Sequence, residues 1–321
     1  HEFLQEMSRD VFTPRNLMTV GEMSSTSLEH CQQYAALDGR ELSMTFNFHH
    51  LKVDYPGGEK WTLARPDYVA LMALCRHCQQ GMHNRAWNAL FWCNHDQPRI
   101  VSRLGDEGAL RERSAKMLAT CLHLMKGTPY VYQGEELGMT NVRFDSIEDM
   151  NDLESINAFK VFTQNGRFTE QQMYDFISYK GRDNARTPMQ WTSGPNAGFT
   201  AGKPWLKLNP NYLVINAEDA VSRPDSVYHY YRQLIELRKQ LEVIVYGTYE
   251  LIDRENEKIF TYRRHLGSQS LLVICNFTPE EIFYDHELVA NHSNLMIGNC
   301  SDSTYLANRQ LRPYESLVLS V

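Results

Sequence analysis

No apolar run in this sequence approaches the roughly 20 residues needed to span a bilayer, so a helical membrane protein is not expected. Basic excess is lacking as well. Lys and Arg number 32 against 39 Asp and Glu, and the net charge of −7 argues against a general nucleic-acid binder, whose docking face would be basic. No signal-peptide pattern opens the chain; His1-Glu2-Phe3-Leu4-Gln5-Glu6-Met7 reads instead as the middle of an uncapped helix, as in a fragment. Internal repeats and low-complexity tracts are missing. Cysteine is sparse: Cys31, Cys75, Cys78, Cys93, Cys121, Cys275 and Cys300 are odd in number and loosely spaced, which excludes a disulfide framework and suits a reducing cytoplasm. Cys75-Arg76-His77-Cys78 has C-x-x-C spacing but lies in a helical pattern with Tyr68, Leu71, Met72 and Leu74. No second Cys/His pair stands at finger spacing, so these thiols are read as core, and neither metal nor cofactor is expected.

What the chain does have is ordinary for a soluble globular protein, with 42% hydrophobic and 22% charged residues over 321 positions, enough for a sizeable core and two domains. Residues 1 to 16 read as the end of a helix. Strands are expected at 17–20, ending at Glu22, at 41–48, up to Trp92, and at 130–132. Helices are expected at 27–37, 66–82, 110–125 and 225–239. This alternation makes four βα units of a parallel array. An eight-fold barrel needs about twice as many. The fold expected is therefore α/β, the C-terminal half of a (β/α)8 barrel over 1–241, with a long insertion at about 138–219. After Leu241 short β-rich runs follow at 248–252, 259–262, 271–274 and 317–319, which predict an antiparallel β-sandwich domain over 242–321.

Chemistry concentrates at two strand ends. The buried-strand run Ala89-Leu90-Phe91-Trp92 breaks into Cys93-Asn94-His95-Asp96, and upstream Val20-Gly21 runs into Glu22. In α/β proteins the residues just past the C-terminal ends of parallel strands carry the chemistry. Two carboxylates placed so are what glycoside cleavage requires: one protonates the leaving oxygen, and a second acts in a site about 5–5.5 Å away in retaining enzymes. Taken singly, Glu22 could be a helix-cap carboxylate and His95 a core histidine.

Those blocks carry a resemblance. Val20-Gly21-Glu22 and Asn94-His95-Asp96, with Gly127-Thr128-Pro129-Tyr130, Tyr132-Gln133-Gly134-Glu135-Glu136 and Arg182-Asp183-Asn184-Ala185-Arg186-Thr187-Pro188-Met189-Gln190-Trp191, resemble the α-amylase family of glycoside hydrolases, in its oligo-1,6-glucosidase branch. The resemblance implies that Glu22 is the acid/base. It implies that Asp96 holds sugar hydroxyls and stabilises the oxocarbenium-like transition state, with His95 and Asn94 beside it on the same sugar. It also implies that Arg103 contacts substrate near the entrance, ahead of Arg99, which could be a structural ion-pair partner. The family's nucleophile, an Asp in a Gly-Phe-Arg-x-Asp block, has no match upstream of Glu22, and Asp10 in Ser8-Arg9-Asp10 does not fill the role. A separate N-terminal piece of the same enzyme, or another copy, is expected to supply what is missing.

Within the branch the chain looks most like the phosphotrehalose hydrolases, so the expected partner is a small sugar phosphate. Lys52, in His49-His50-Leu51-Lys52, and Lys60, beside Trp61, flank the loop after the second strand. There they could hold a phosphate through charge-assisted hydrogen bonds. The expected reaction is retaining hydrolysis of trehalose 6-phosphate to glucose and glucose 6-phosphate. An oligo-1,6-glucosidase acting on neutral sugars is the alternative. A sucrose isomerase would carry a more highly charged loop than Leu104-Gly105-Asp106-Glu107-Gly108, and a non-catalytic relative would lose Glu22 and Asp96. In this branch Asn151 stands where an Arg is usual, before Asp152-Leu153-Glu154.

Overall fold

The computed structural model describes residues 1–289 and 293–321. The chain opens with helix α1 (Glu2–Met7), prolonged through Ser8–Phe12 and Thr13–Arg15 and stopped by Asn16 in the left-handed region at φ 49°. Strand β1 (Val20–Met23) follows, then α2 (Leu28–Tyr34), capped by Ser27, whose side chain accepts from His30 N–H. Next come β2 (Met44–Asn47) and α3 (Tyr68–Met82), capped by Asp67 and burying Leu71, Met72, Cys75 and Met82. Then come β3 (Asn88–Leu90), α4 (Ile100–Leu104), α5 (Arg111–His123) and β4 (Thr128–Pro129). The four strands lie in the order β1-β2-β3-β4, every pair parallel, with Val20 opposite Met44, Phe46 opposite Ala89 and Leu90 opposite Pro129. This is the arc of a (β/α)8 barrel expected from the alternation.

All four strands differ in their bounds from expectation, for one reason. Pairing, not hydrophobicity, sets where a strand is. The ladder starts at Thr19, whose carbonyl accepts from Ser43 and Met44 N–H, so Leu17 and Met18 stay outside it and exposed while Glu22 lies on the strand. Phe91 and Trp92 lie past the end of β3, and Tyr130 past the end of β4; Phe91 and Tyr130 face the site, whereas Trp92 packs towards α5 and donates from Nε1 to the Leu118 carbonyl at 2.8 Å.

Between β4 and the last barrel helix runs a helical segment. It holds α6 (Leu153–Gln164), capped by Asp152, and α7 (Glu170–Lys180), opened by a Thr169–Gln172 capping box, then α8 (Asp183–Arg186) and α9 (Ala217–Ser222). Trp61 from the loop after β2 joins Phe144, Phe159, Met173 and Ile177 in a small core of its own, which docks this segment against that loop. Helix α10 (Val227–Gln240), capped by Ser226, and the short α11 (Glu242–Tyr246) complete the helical part.

The rest is β-rich. Strands β5 (Thr248–Ile252), β6 (Ile259–Leu266), β7 (Gln269–Asn276), β8 (Ile282–Phe283) and β9 (Asn294–Gly298) precede a helical turn, α12 (Tyr305–Asn308). Strands β10 (Gln310–Leu311) and β11 (Ser316–Ser320) end the chain. A five-stranded antiparallel sheet, β5-β6-β7-β11-β9, faces the short pair β10-β8 as a sandwich. Its other face packs on α5. Tyr262, Val273, Cys275 and Val318 share one core with Met117, Leu118, Cys121 and Leu122 of that helix. Cys75 packs in the same core, and all seven cysteines are free thiols.

Candidate active site

The C-terminal ends of β1 and β3, with β2 between them, open on one cavity of about 160 Å³. Glu22, Phe46, Phe91, Asn94, His95 and Tyr130 line it. Its floor is aromatic: Phe46 meets Phe91 edge-on at 4.9 Å and Tyr130 at 4.7 Å, and Phe48 meets Phe91 at 5.0 Å. A sugar ring presents apolar C–H faces to such a floor and hydroxyls to a polar rim. Glu22 lies exposed at the rim. Among the described residues β1 is paired on one side only, by β2.

Asp96 is placed by its own turn. Asn94 Oδ1 accepts Asp96 N–H at 2.8 Å and Asn94 O accepts Gln97 N–H at 3.3 Å, so the Asn-His-Asp run closes as a tight Asx-type turn. The carboxylate then meets two arginines that lie far away in sequence. Arg186 Nη2 donates to Oδ1 at 2.5 Å, and Arg182 Nη1 lies 3.8 Å from Oδ2; His95 Nε2 stands 3.8 Å from Oδ1. Arg186 also donates from Nε to the His95 carbonyl at 2.8 Å, gripping turn and carboxylate together. Neither arginine was singled out in the sequence, although both lie in the Arg182–Trp191 block. Their signal was there, without the long-range pairing that gives it meaning.

The two lysines of the loop after β2 are placed differently. Lys52 is exposed, with Nζ 3.4 Å from the carbonyl of Ser24, two residues past Glu22, and among the described residues it has no acidic partner. Lys60 instead donates to Glu154 Oε2 at 2.6 Å, and Arg182 Nε reaches the same oxygen at 2.9 Å. Burial lowers the Lys60 pKa, an effect the Glu154 contact partly offsets. The two histidines spend ring nitrogens on carbonyls: His49 Nε2 on Thr26 at 3.1 Å and His50 Nε2 on Phe91 at 2.9 Å. Burial drops His50 to about 4, so it is neutral at pH 7 and offers an anion no charge.

Arg103 is not at the entrance. Its side chain is buried and forks onto Asp54, with Nε–H to Oδ2 at 2.8 Å and Nη2–H to Oδ1 at 2.5 Å; Nη1 donates to Gln97 and Nη2 to the Leu51 carbonyl. Lys180, also buried, pairs with the same carboxylate. Expecting substrate contact here is corrected by geometry: the donor fork is used up inside the protein. Burial by itself would raise Asp54, but the two cations outweigh it and hold the carboxyl below its usual range. Arg99 is buried too, and among the described residues it has no ion-pair partner. It donates to the carbonyls of Gln133 at 2.5 Å and of Asn184 and Ala185 at 3.2 Å each.

Asp10 is exposed, paired with Arg9 at 2.7 Å on a helical turn rather than a strand end. Among the described residues no three His, Cys, Asp or Glu side chains gather to hold a metal, and no helix is long and apolar enough to cross a membrane.

Comparison with known proteins places the chain in a family. The chain is similar to the trehalose-6-phosphate hydrolase of Escherichia coli (strain K12), 57% identical over 99% of this chain and 58% of that protein. It is also similar to the oligo-1,6-glucosidase of Bacillus cereus, 44% identical over 100% of this chain and 58% of that one. The crystal structure of Bacillus licheniformis trehalose-6-phosphate hydrolase superposes with a TM-score of 0.94 at 47% identity, covering 100% of this chain and 59% of that one. The chain thus spans just under three fifths of the length of these relatives. The profile described as alpha amylase, catalytic domain, matches residues 1–247, and the chain belongs to the α-amylase family of glycoside hydrolases.

Proposed function

We propose that the protein carrying this chain is a retaining α-glucosidase that hydrolyses trehalose 6-phosphate to glucose and glucose 6-phosphate. The observation that carries the reading is the shared cavity, where Glu22 from β1 meets Asn94 and His95 from the turn after β3, with Asp96 clamped beside them. Glu22 gives its proton to the glycosidic oxygen and later takes one from water. Asp96, held by Arg186, accepts hydrogen bonds from sugar hydroxyls that strengthen as the ring flattens. His95 and Asn94 border the same sugar. The nucleophilic Asp is assigned to the part of the enzyme outside this chain, since Asp10 has neither the place nor the surroundings for it.

Lys52 supports the phosphorylated substrate, because a free ammonium beside the Glu22 strand end suits a dianion. Lys60 contributes through the Glu154–Arg182 cluster, whose two cations share one carboxylate. Similarity to the trehalose-6-phosphate hydrolases points the same way. A neutral-sugar oligo-1,6-glucosidase is the second reading. It is favoured by the engagement of Lys60 and of both loop histidines with protein partners. Assaying the whole protein on trehalose 6-phosphate, trehalose and isomaltose separates the two. A clear preference for the phosphorylated sugar is expected; equal or better turnover of isomaltose would transfer the assignment to the second reading.

A further inference from the structure

Beneath the turn that carries Asp96 lies a carboxyl that the chemistry above does not use. Glu135 is 3% exposed, in the turn after β4. Its Oε1 accepts a hydrogen bond from the Tyr231 hydroxyl of α10 at 2.9 Å, and its Oε2 has no hydrogen-bond partner among the described residues. The turn is rigidly set: Gly134 sits at φ 86°, and a Cβ there would lie 2.3 Å from Met139 Sδ.

The groups facing Glu135 come from every element around it: Cys93 after β3, Tyr231 from α10, Glu136 from its own turn, Arg99 before α4, and His123 of α5 behind Tyr231. None offers a matched cation. Arg99 spends its donors on three carbonyls, and His123, pushed down to about 3 by burial and by Arg238, is neutral. Burial raises the Glu135 carboxyl to about 7; Glu136 adds to that rise, while Tyr231 and the Cys93 thiol, both donors to the ionised form, oppose it. Cys93 joins this group to the site. Its Sγ accepts from Ile100 N–H at 3.1 Å and donates to the Pro98 carbonyl at 3.7 Å, bracing from within the loop that contains Asp96. Burial first and Glu135 second hold that thiol well above its ordinary range.

We infer that Glu135 is a positioning residue for Asp96: protonated, it leaves the Cys93 thiol proton to the Pro98 carbonyl and the Asn94–Asp96 turn braced, and ionised, it competes with that carbonyl for the proton, loosens the brace and shifts the turn. The inference rests on the role of Asp96 given above. It deepens that role by making the aim of Asp96 depend on a proton held one layer below it. Activity would then fall as pH rises through the titration of Glu135, with Asp96 itself unchanged.

Two variants and three readouts test it on the whole protein. Infrared difference titration should show a protonated-carboxyl band that disappears near neutral pH and is absent in Glu135→Gln. In Tyr231→Phe the band should persist about half to one pH unit higher, the shift that loss of one ordinary hydrogen bond to the ionised form corresponds to. The NMR signal of the His95 ring, assigned with His95→Gln, should show an inflection that moves with the band in Tyr231→Phe and is lost in Glu135→Gln, reporting the turn without any catalysis. The descending limb of kcat/KM on trehalose 6-phosphate should move up with the band in Tyr231→Phe, and away from neutral pH in Glu135→Gln. No protonated band at any pH overturns the inference. So does a band that moves while the His95 signal and the limb stay where they were. If Glu135→Gln does not fold, Tyr231→Phe decides alone by the same criteria. A wild-type protein inactive on every glucoside counts against the proposed function, whereas band and His95 signal still decide the positioning.

Discussion

At the scale of single residues the carboxylates dominate, and each behaves as its surroundings dictate. Glu22 stands at the rim of the cavity on β1, where an acid could reach a glycosidic oxygen. Changing Glu22→Gln in the whole enzyme is expected to lower kcat by at least the roughly 10²–10⁴-fold that general acid catalysis contributes. Steady-state kinetics retaining more than about a tenth of wild-type kcat would remove Glu22 from that role. Lys52 is the lysine free to meet a phosphate, so Lys52→Ala should raise KM for trehalose 6-phosphate by roughly ten- to a hundred-fold, the worth of a charged hydrogen bond of about 1.5–3 kcal/mol. Hydrolysis of an unphosphorylated aryl glucoside should barely change, and equal losses on both substrates would make the lysine a support of the fold. Glu135 carries a stability prediction of definite sign. Its carboxyl is raised from 4.5 to about 7 on folding, so the native state binds the extra proton within that window. Stability contributed by this group is complete below pH 4.5 and is lost as pH rises towards 7, in all about 3 kcal/mol. Urea titrations across that range should show a steeper decline for wild type than for Glu135→Gln.

At the scale of elements, the loop after β2 is the piece that was legible in composition but not in geometry. Its lysines and histidines stand out in the sequence, yet what anchors the loop to its neighbours is Asp54, a residue that no motif marks. Asp54 is gripped by Arg103 from α4 and Lys180 from the end of α7, which ties the β2 loop, the site turn's own helix and the long segment after β4 into one unit. Removing one partner of a buried ionic cluster leaves charge uncompensated at a cost of about 3–5 kcal/mol. Asp54→Ala is therefore expected to strand two buried cations and to lower the urea midpoint far more than Arg143→Ala, whose pair with Asp145 is exposed. Comparable midpoints for the two variants would show the cluster to be dispensable. Helix starts were easier to read than strand ends. Ser27 and Ser226 cap helices where the apolar periodicity begins, because a cap is a local hydrogen bond. Strand bounds at Val20, Leu90 and Pro129 depend on a neighbour's register, which no single segment contains.

At the scale of the molecule, the chain holds an arc of four parallel strands and a sandwich fused to it through α5. On the proposed assignment that arc carries only acid assistance and part of the binding site, because no covalent glycosyl intermediate forms without a nucleophile. The 321-residue chain produced alone should therefore give no glucose from trehalose 6-phosphate, and mixing with the remaining, nucleophile-bearing part should restore release. Turnover by the chain alone near about 1–10³ s⁻¹ would show that a nucleophile lies within it. Its sandwich, by contrast, is integral to the fold: Tyr262 donates to the Cys121 carbonyl at 2.7 Å and Arg264 to the Leu124 carbonyl at 2.6 Å, both within the shared core.

By itself the sequence determined the fold class, the order of the elements and the two strand-end blocks. Each of these follows from short-range chemistry: alternation of apolar patterns, caps at helix starts, and a polar break after a buried run. Three-dimensional packing alone decided which charges are free. Arg103 and Lys60 look like substrate ligands along the chain but face Asp54 and Glu154, whereas Arg186, unremarked in sequence, holds Asp96 from 90 residues away. A charged side chain is defined by the partner that desolvates or neutralises it, and that partner is chosen by how the chain folds back on itself.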